Sequence, residues 1–242
     1  MGAENVAKAN LGILPPVPEQ KVLVFYNELD LSLTSHNPSA KFFYTLDDSD
    51  PVKSGLLYSG PVKVNETCTL KAFAVHGNDT SRTVSYNLVK KNLIPGIQGG
   101  RYSRGLNVNV YQGQFTSLPD FGALQPVKTT VTKVINARIS EDSQNFALRF
   151  TGLLNIPEES IYGFYLNSDD GSKLIIDGEL VVLNDGVHPR AVEKFDYIAL
   201  GKGYHKIELE YFQSDSRRPV LRLMVEQPGK QRTEIPEEWL YH

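Results

Sequence analysis

The sequence predicts an all-β protein built as two β-rich parts in series. Three observations carry that prediction. Apolar residues alternate with polar ones in runs of five to nine, the two-residue period of a half-buried strand. Gly, Pro, Asn and Asp punctuate these runs, and no amphipathic helix longer than two turns can be drawn. The stretch KKNLIPGIQGGRYSRG, 90–105, interrupts the alternation with Pro and four Gly, as a boundary between folding units does.

Residues 1–20 read as a flexible lead-in ending in PPVPEQ. The first part, 21–90, has strand candidates at 21–26 (KVLVFY), 41–46 (KFFYTL), 69–75 (TLKAFAV) and 83–89 (TVSYNLV). Residues 91–104 are expected as a linker. The second part, 105–242, opens on LNVNVYQGQF and continues with strands expected near 129–134, 146–150, 162–166, 173–177, 179–183, 204–212 and 219–226. YHKIELEYF shows the alternation most plainly. His205, Ile207, Leu209 and Tyr211 share one face, and Lys206, Glu208 and Glu210 the other. LIIDGELVV is expected to be a tight hairpin, because Asp177-Gly178 suits the positive φ angles of a type I′ turn. This many strands in about 140 residues implies a sandwich or barrel.

Composition sets the outer limits. The chain has 242 residues, 40% hydrophobic and 22% charged, which is globular rather than disordered. A net charge of −3 argues against a general nucleic-acid binder, which needs many phosphate-neutralising cations. Cys68 is the single cysteine, so no intramolecular disulfide forms, and its place in an alternating run reads as a structural thiol. No apolar run is long enough for a membrane-spanning helix, and MGAENVAKAN lacks the apolar core of a signal peptide. No Gly-rich phosphate loop, nucleophile elbow or zinc-type His spacing appears.

The stretch 42–75 carries a Tyr-Thr-x-Asp turn (Tyr44, Thr45, Asp47, Ser49, Pro51), then Tyr58, Gly60 and Pro61, then Thr69, Lys71 and Ala72. It resembles the small immunoglobulin-like domain at the C-terminus of chitobiases and β-hexosaminidases, with Asp48 where that family has Gly. In the second part, Phe164, Leu166, Ser168-Asp169-Asp170-Gly171-Ser172, Leu174, Ile176-Asp177-Gly178, Gly203, His205 and Ile207 follow in order. These resemble the PA-14, or anthrax-protective-antigen-like, domain. The implied fold is a small immunoglobulin-like β-sandwich followed by a larger PA-14-like β-sandwich or barrel.

The PA-14 resemblance also implies a site. In the family's lectin members paired aspartates joined by a cis peptide bind Ca2+, which in turn binds sugar hydroxyls. Here the pair is Asp169 and Asp170. The lectin members add an Asn from a later loop, where this chain has Gln213, Ser214 and Asp215, none of them Asn. Asn184, Asp185, His188, Gln213, Asp215 and Arg217 are the further ligand-binding candidates, and Arg217-Arg218 is a pair suited to anionic sugars. Against the metal reading stands a local one: Asp and Ser side chains close turns on nearby N–H groups, and Gly171 supplies unusual backbone angles. Both remain open at this point. For His205 a hydrogen-bonded core role is expected, and for Trp239 packing of the C-terminus.

Taken together, the two resemblances imply non-catalytic, carbohydrate-binding accessory modules of an exported glycosidase, hexosaminidase-like enzyme or sulfatase. The partners would be a glycan or polysaccharide and the catalytic domain of the same parent chain. The protein is expected to be monomeric, without nucleic-acid binding and without a membrane span. The alternative from another class is a structural or protein-docking module that recognises no sugar.

Overall fold

The computed structural model describes residues 12–140, 144–215 and 218–242. The chain divides into two compact units, 1–91 and 92–242.

In the first unit, Lys41–Thr45, Cys68–His76 and Val84–Lys90 are the central strands of one sheet, with Val24–Phe25 and Leu56–Leu57 at its edges. Phe25, Leu31, Leu33, Val64, Leu70, Ala72 and Leu88 form its core. The end of the expected lead-in belongs to this unit, because Val17–Pro18 pairs with Leu33–Thr34. Asp48 takes φ 63°, so the turn keeps its left-handed residue although Gly is replaced. Asp is among the few non-glycine residues that tolerate this region. The Lys71 ammonium, 2.8 Å from its carboxylate, fastens the turn to the sheet. Cys68 is half-buried, and desolvation raises its thiol pKa, as befits an inert structural thiol.

The second unit is a two-sheet sandwich. Its main strands are β1 (Leu106–Gln112), β2 (Lys128–Thr132), β3 (Phe146–Ile156), β4 (Ser160–Asp169), β5 (Ser172–Ile176), β6 (Glu179–Asn184), β7 (Val192–Leu200), β8 (Gly203–Gln213) and β9 (Val220–Glu226). One sheet runs β2-β1-β3-β8-β5-β6, with Leu240–Tyr241 also paired to β3. The other runs Leu93–Ile94, β7, β4, β9, Thr233–Glu234. Between them lie Phe146, Leu148 and Phe150 of β3, Tyr162, Phe164 and Leu166 of β4, and Ile207, Leu209 and Tyr211 of β8.

Two features depart from the sequence expectations. The stretch 91–104 is built into the second unit rather than left as a tether: Leu93–Ile94 pairs in parallel with Ala199–Leu200, Ile97 bridges Tyr204, and Arg104 bridges Tyr241. Gly96 is needed there for close approach, since a Cβ would meet Lys202 O at 2.5 Å. Strand β7 was not anticipated. Its residues 193–196 are all exposed, so no apolar period announces it until Ile198.

The hairpin at Asp177-Gly178 is as expected, with φ angles of 51° and 84°. His205 is fully buried, its Nδ1 2.6 Å from Asp177 Oδ2 and its Nε2 2.8 Å from Gly201 O. It is a hydrogen-bonded core residue. Trp239 packs against the core, edge-on to Tyr162.

Candidate functional site

Strands β4 and β5 lie in different sheets, and the link between them is only Asp170-Gly171. The chain therefore crosses from sheet to sheet at one end of the sandwich through the double-aspartate motif. The peptide bond between Asp169 and Asp170 is cis. Gly171 is required by crowding: a Cβ would meet the Phe212 ring at 2.4 Å and Asp185 Oδ1 at 2.9 Å. Its carbonyl accepts from Phe212 N at 2.9 Å, which holds the crossover to β8.

Asp170 is fully buried. Its Oδ1 accepts from His188 N at 2.8 Å, and its Oδ2 accepts from Ser214 N at 2.9 Å and from the Ser214 hydroxyl at 2.6 Å. One carboxylate thus ties the crossover to the β6–β7 loop and to the chain leaving β8. Tyr211, also buried, places its hydroxyl 2.5 Å from Asp169 O and 2.6 Å from Gln213 Oε1. Desolvation raises the Tyr211 pKa, and the charges of Asp170 and Asp169 raise it further, so the phenol stays a donor. Gln213 is buried, and its Nε2 donates to the Asp215 carbonyl at 3.2 Å and carboxylate at 3.1 Å.

Beside this cluster, Ser168 and Ser172 share a hydrogen bond of 2.6 Å, and Asn184 Nδ2 donates to Ser168 Oγ at 3.0 Å and Val192 O at 2.9 Å. Asn184 Oδ1 is buried with no hydrogen-bond partner among the described residues. Asp185 is exposed, and its Oδ1 accepts from Leu118 N at 2.8 Å. The structure therefore gathers Asp169, Asp170, Asn184, Asp185, His188, Gln213 and Asp215 at or beside one end of the sandwich. His188 joins through its backbone N–H. Arg217 lies outside the described residues. The sequence reading missed the parts played by Ser214, Tyr211 and the Leu118 N–H. Tyr211 was visible only as an inward strand residue, and a backbone N–H leaves no residue-type signal.

The PA14 domain family matches residues 103–239. The chain belongs to the PA14 family. Residues 31–88 match the Fn3 associated family, in the part expected to be immunoglobulin-like. A beta-hexosaminidase of Porphyromonas gingivalis is 24% identical over 210 residues, covering 80% of this chain and 26% of that protein. The chain thus spans about a quarter of that relative's length. Among solved structures, an anti-sigma factor domain-containing protein aligns with TM-score 0.50 at 13% identity, over 94% of this chain and 82% of its own. The PA14 domain of the MpAFP antifreeze protein aligns with TM-score 0.49 at 16% identity, over 60% and 94% respectively. At 13% identity the likeness to the first of these is one of fold.

Paired aspartates in a PA14 unit raise the question of Ca2+, which takes about 6–8 oxygen ligands. Around Asp170 the donor set does not fit. Both carboxylate oxygens face N–H or O–H donors, which a cation in their place would repel. The Gln213 amide oxygen faces the Tyr211 hydroxyl. Asn184 Oδ1 is buried without a hydrogen-bond partner among the described residues. Among the described residues no group of three or more His, Cys, Asp and Glu side chains is placed to hold a metal ion. The arrangement around Asp170 is that of a hydrogen-bonded clasp, and such bonds to a charged acceptor contribute about 1.5–3 kcal/mol each.

Proposed function

We propose that the chain is a non-catalytic, glycan-binding accessory region of an exported carbohydrate-active enzyme, with the three-loop end of the PA14 unit as its sugar face. The observation that carries this is the Asp170 clasp. It fixes the crossover, the β6–β7 loop and the chain after β8 in one arrangement, so a ligand meeting them has little loop entropy to remove. Because two of the three donors are backbone N–H groups, side chains of these loops are left to face a ligand. Asp185 is exposed there. Kinship to part of a beta-hexosaminidase supports the enzyme context, with the catalytic domain of the same parent chain as covalent partner. The Fn3 associated unit serves as spacer. No helix among the described residues is long and apolar enough to cross a membrane.

The sugar is held by direct hydrogen bonds, with Asp170 as a positioning residue rather than a metal ligand. A glycan array run on the whole chain in chelator and in millimolar Ca2+ tests this. The expected result is weak binding, of the same strength in both. Binding that appears only with Ca2+ would assign the paired aspartates to an ion. An array blank in both conditions would end the glycan reading. One observation favours the docking-module alternative: every bond of Asp170 given above is internal and serves the fold. Removing residues 105–242 from the parent separates the two. Activity lost only on polymeric substrate supports targeting, whereas a lower melting temperature with activity on small substrates intact supports bracing.

A further inference from the structure

A cleft of about 650 Å3 opens along the side of the PA14 unit, between residues 133–138 and the β9 strand with the segment that follows it. This volume lies within the range of about 300–1,000 Å3 usual for small-ligand sites. Ile135 and Ile235, partly buried against the core, give it a small apolar patch, while Leu221 and Leu223 behind them are core residues with almost no exposed surface. Its rim is cationic. Lys133, Arg138, Arg218 and Arg222 all line it with exposed side chains, against the two acids Glu234 and Glu237.

None of these six charged side chains forms an ion pair with another described residue. Four other cations of the unit are paired, Arg149 with Glu208, Lys173 with Glu210, Lys230 with Glu158 and Arg232 with Glu193, whereas Arg190, Lys194, Lys202 and Lys206, like those of the cleft, form no ion pair with a described residue. What sets the cleft apart is that four cations without an ion pair among the described residues line one space. It adjoins the proposed sugar face, because Val220 on its wall is the β-ladder partner of Asp169.

We propose that this cleft binds the anionic substituents of an acidic saccharide, a sulfate or a carboxylate. The inference rests on the glycan-binding reading and narrows it to a ligand class. Guanidinium groups match both substituents, since their planar fork offers paired N–H donors to two oxygens. Three arginines and a lysine against two glutamates leave a net attraction for an anion, and the half-buried Ile135 and Ile235 offer a small apolar contact beside them.

Calorimetric titration of the whole chain tests the proposal with three oligosaccharides of equal length: sulfated, carboxylated without sulfate, and neutral chitin-derived. The sulfated or the carboxylated ligand should bind at least about tenfold more tightly than the neutral one, and which of them does so identifies the substituent. Arg138→Gln with Arg222→Gln should remove that preference. Lys202→Gln with Lys206→Gln, two exposed lysines outside the cleft, should leave it within about twofold. A second pair, Lys133→Gln with Arg218→Gln, repeats the reading away from regular strands. Equal losses from the cleft and control pairs would reduce the effect to general charge attraction and overturn the site. Neutral binding with no anionic preference would overturn this inference and leave the proposed function standing. Failure of all three ligands would also overturn this inference, and the glycan array then decides the proposed function.

Discussion

The two ends of strand β5 are written almost alike, Asp170-Gly171 before it and Asp177-Gly178 after it, yet the fold uses them differently. Asp170 is fully buried and takes two backbone N–H groups and a hydroxyl from two separate loops. Asp177 keeps about 20% of its side chain exposed. It takes one backbone N–H, from Lys206 at 2.7 Å, and one side chain, His205. The His205 ring in turn reaches Gly201 O, so this end is committed inward to the core. A carboxylate held mostly by main-chain donors fixes loops without specifying their side chains. That end of the sandwich can therefore vary its surface for a ligand while the opposite end cannot.

The largest effect separating the two ends should come from Asp170→Ala. It strands two backbone N–H groups and a hydroxyl that had a charged acceptor, at about 1–3 kcal/mol or more for each buried group left unsatisfied. The loops would relax, so a net loss of about 3 kcal/mol is expected. That corresponds to roughly 6–12 °C in melting temperature for a unit of this size. Asp170→Asn should recover part of it, because an amide oxygen can still accept. Calorimetric melts of the three proteins decide the matter. A loss under about 1 kcal/mol would mean that the loops do not depend on the clasp.

Why the sequence showed one layer of this and hid another follows from the range of the forces. Alternation in YHKIELEYF and the Asp177-Gly178 turn are local, and both stand in the fold as read. Asp170, Asn184, Gln213 and Asp215 were visible as turn or loop residues by type. Their partners were not, because His188 and Ser214 lie 18 and 44 residues from Asp170 and join through main-chain atoms. The same limit hid β7, whose first half is exposed, and the role of 91–104. There Pro and Gly look like a tether, but Leu93–Ile94 completes a sheet edge. The cationic cleft showed only in part: Arg218 stands in a pair suited to anionic sugars, whereas Lys133, Arg138 and Arg222 are scattered in sequence and meet only in the sandwich.

Asp177→Asn should be the smaller perturbation, about 1–2 kcal/mol. Asn tolerates the φ of 51° that the turn imposes and keeps one acceptor, so the cost is confined to the charge-assisted bond with His205. Glycan binding should be unchanged, since this turn lies at the other end of β5. Urea unfolding and a binding titration on the same variant provide the check. A loss exceeding that of Asp170→Ala, or a change in ligand affinity, would erase the distinction between the two ends.

A carboxylate on the outer sheet face sets the lower end of the scale. Glu193 holds the Arg232 guanidinium through both oxygens, with about a third of each side chain exposed. The Arg232 hydrogen bonds keep the Glu193 carboxyl below its usual range. A folded pKa below the unfolded one contributes stability above the unfolded value, and that stability is lost as pH falls through the folded value. Glu193→Gln should therefore cost only a few tenths of a kcal/mol between about pH 5 and 8, given solvent screening, and nothing once the carboxyl is protonated in both states. Stability of wild type and variant measured from neutral to acid pH should show two curves that converge below the carboxylate range, with the gap narrowing further in high salt. Curves that stay parallel into acid, or a neutral-pH gap near that of Asp170→Ala, would mean that burial is not what separates these carboxylates.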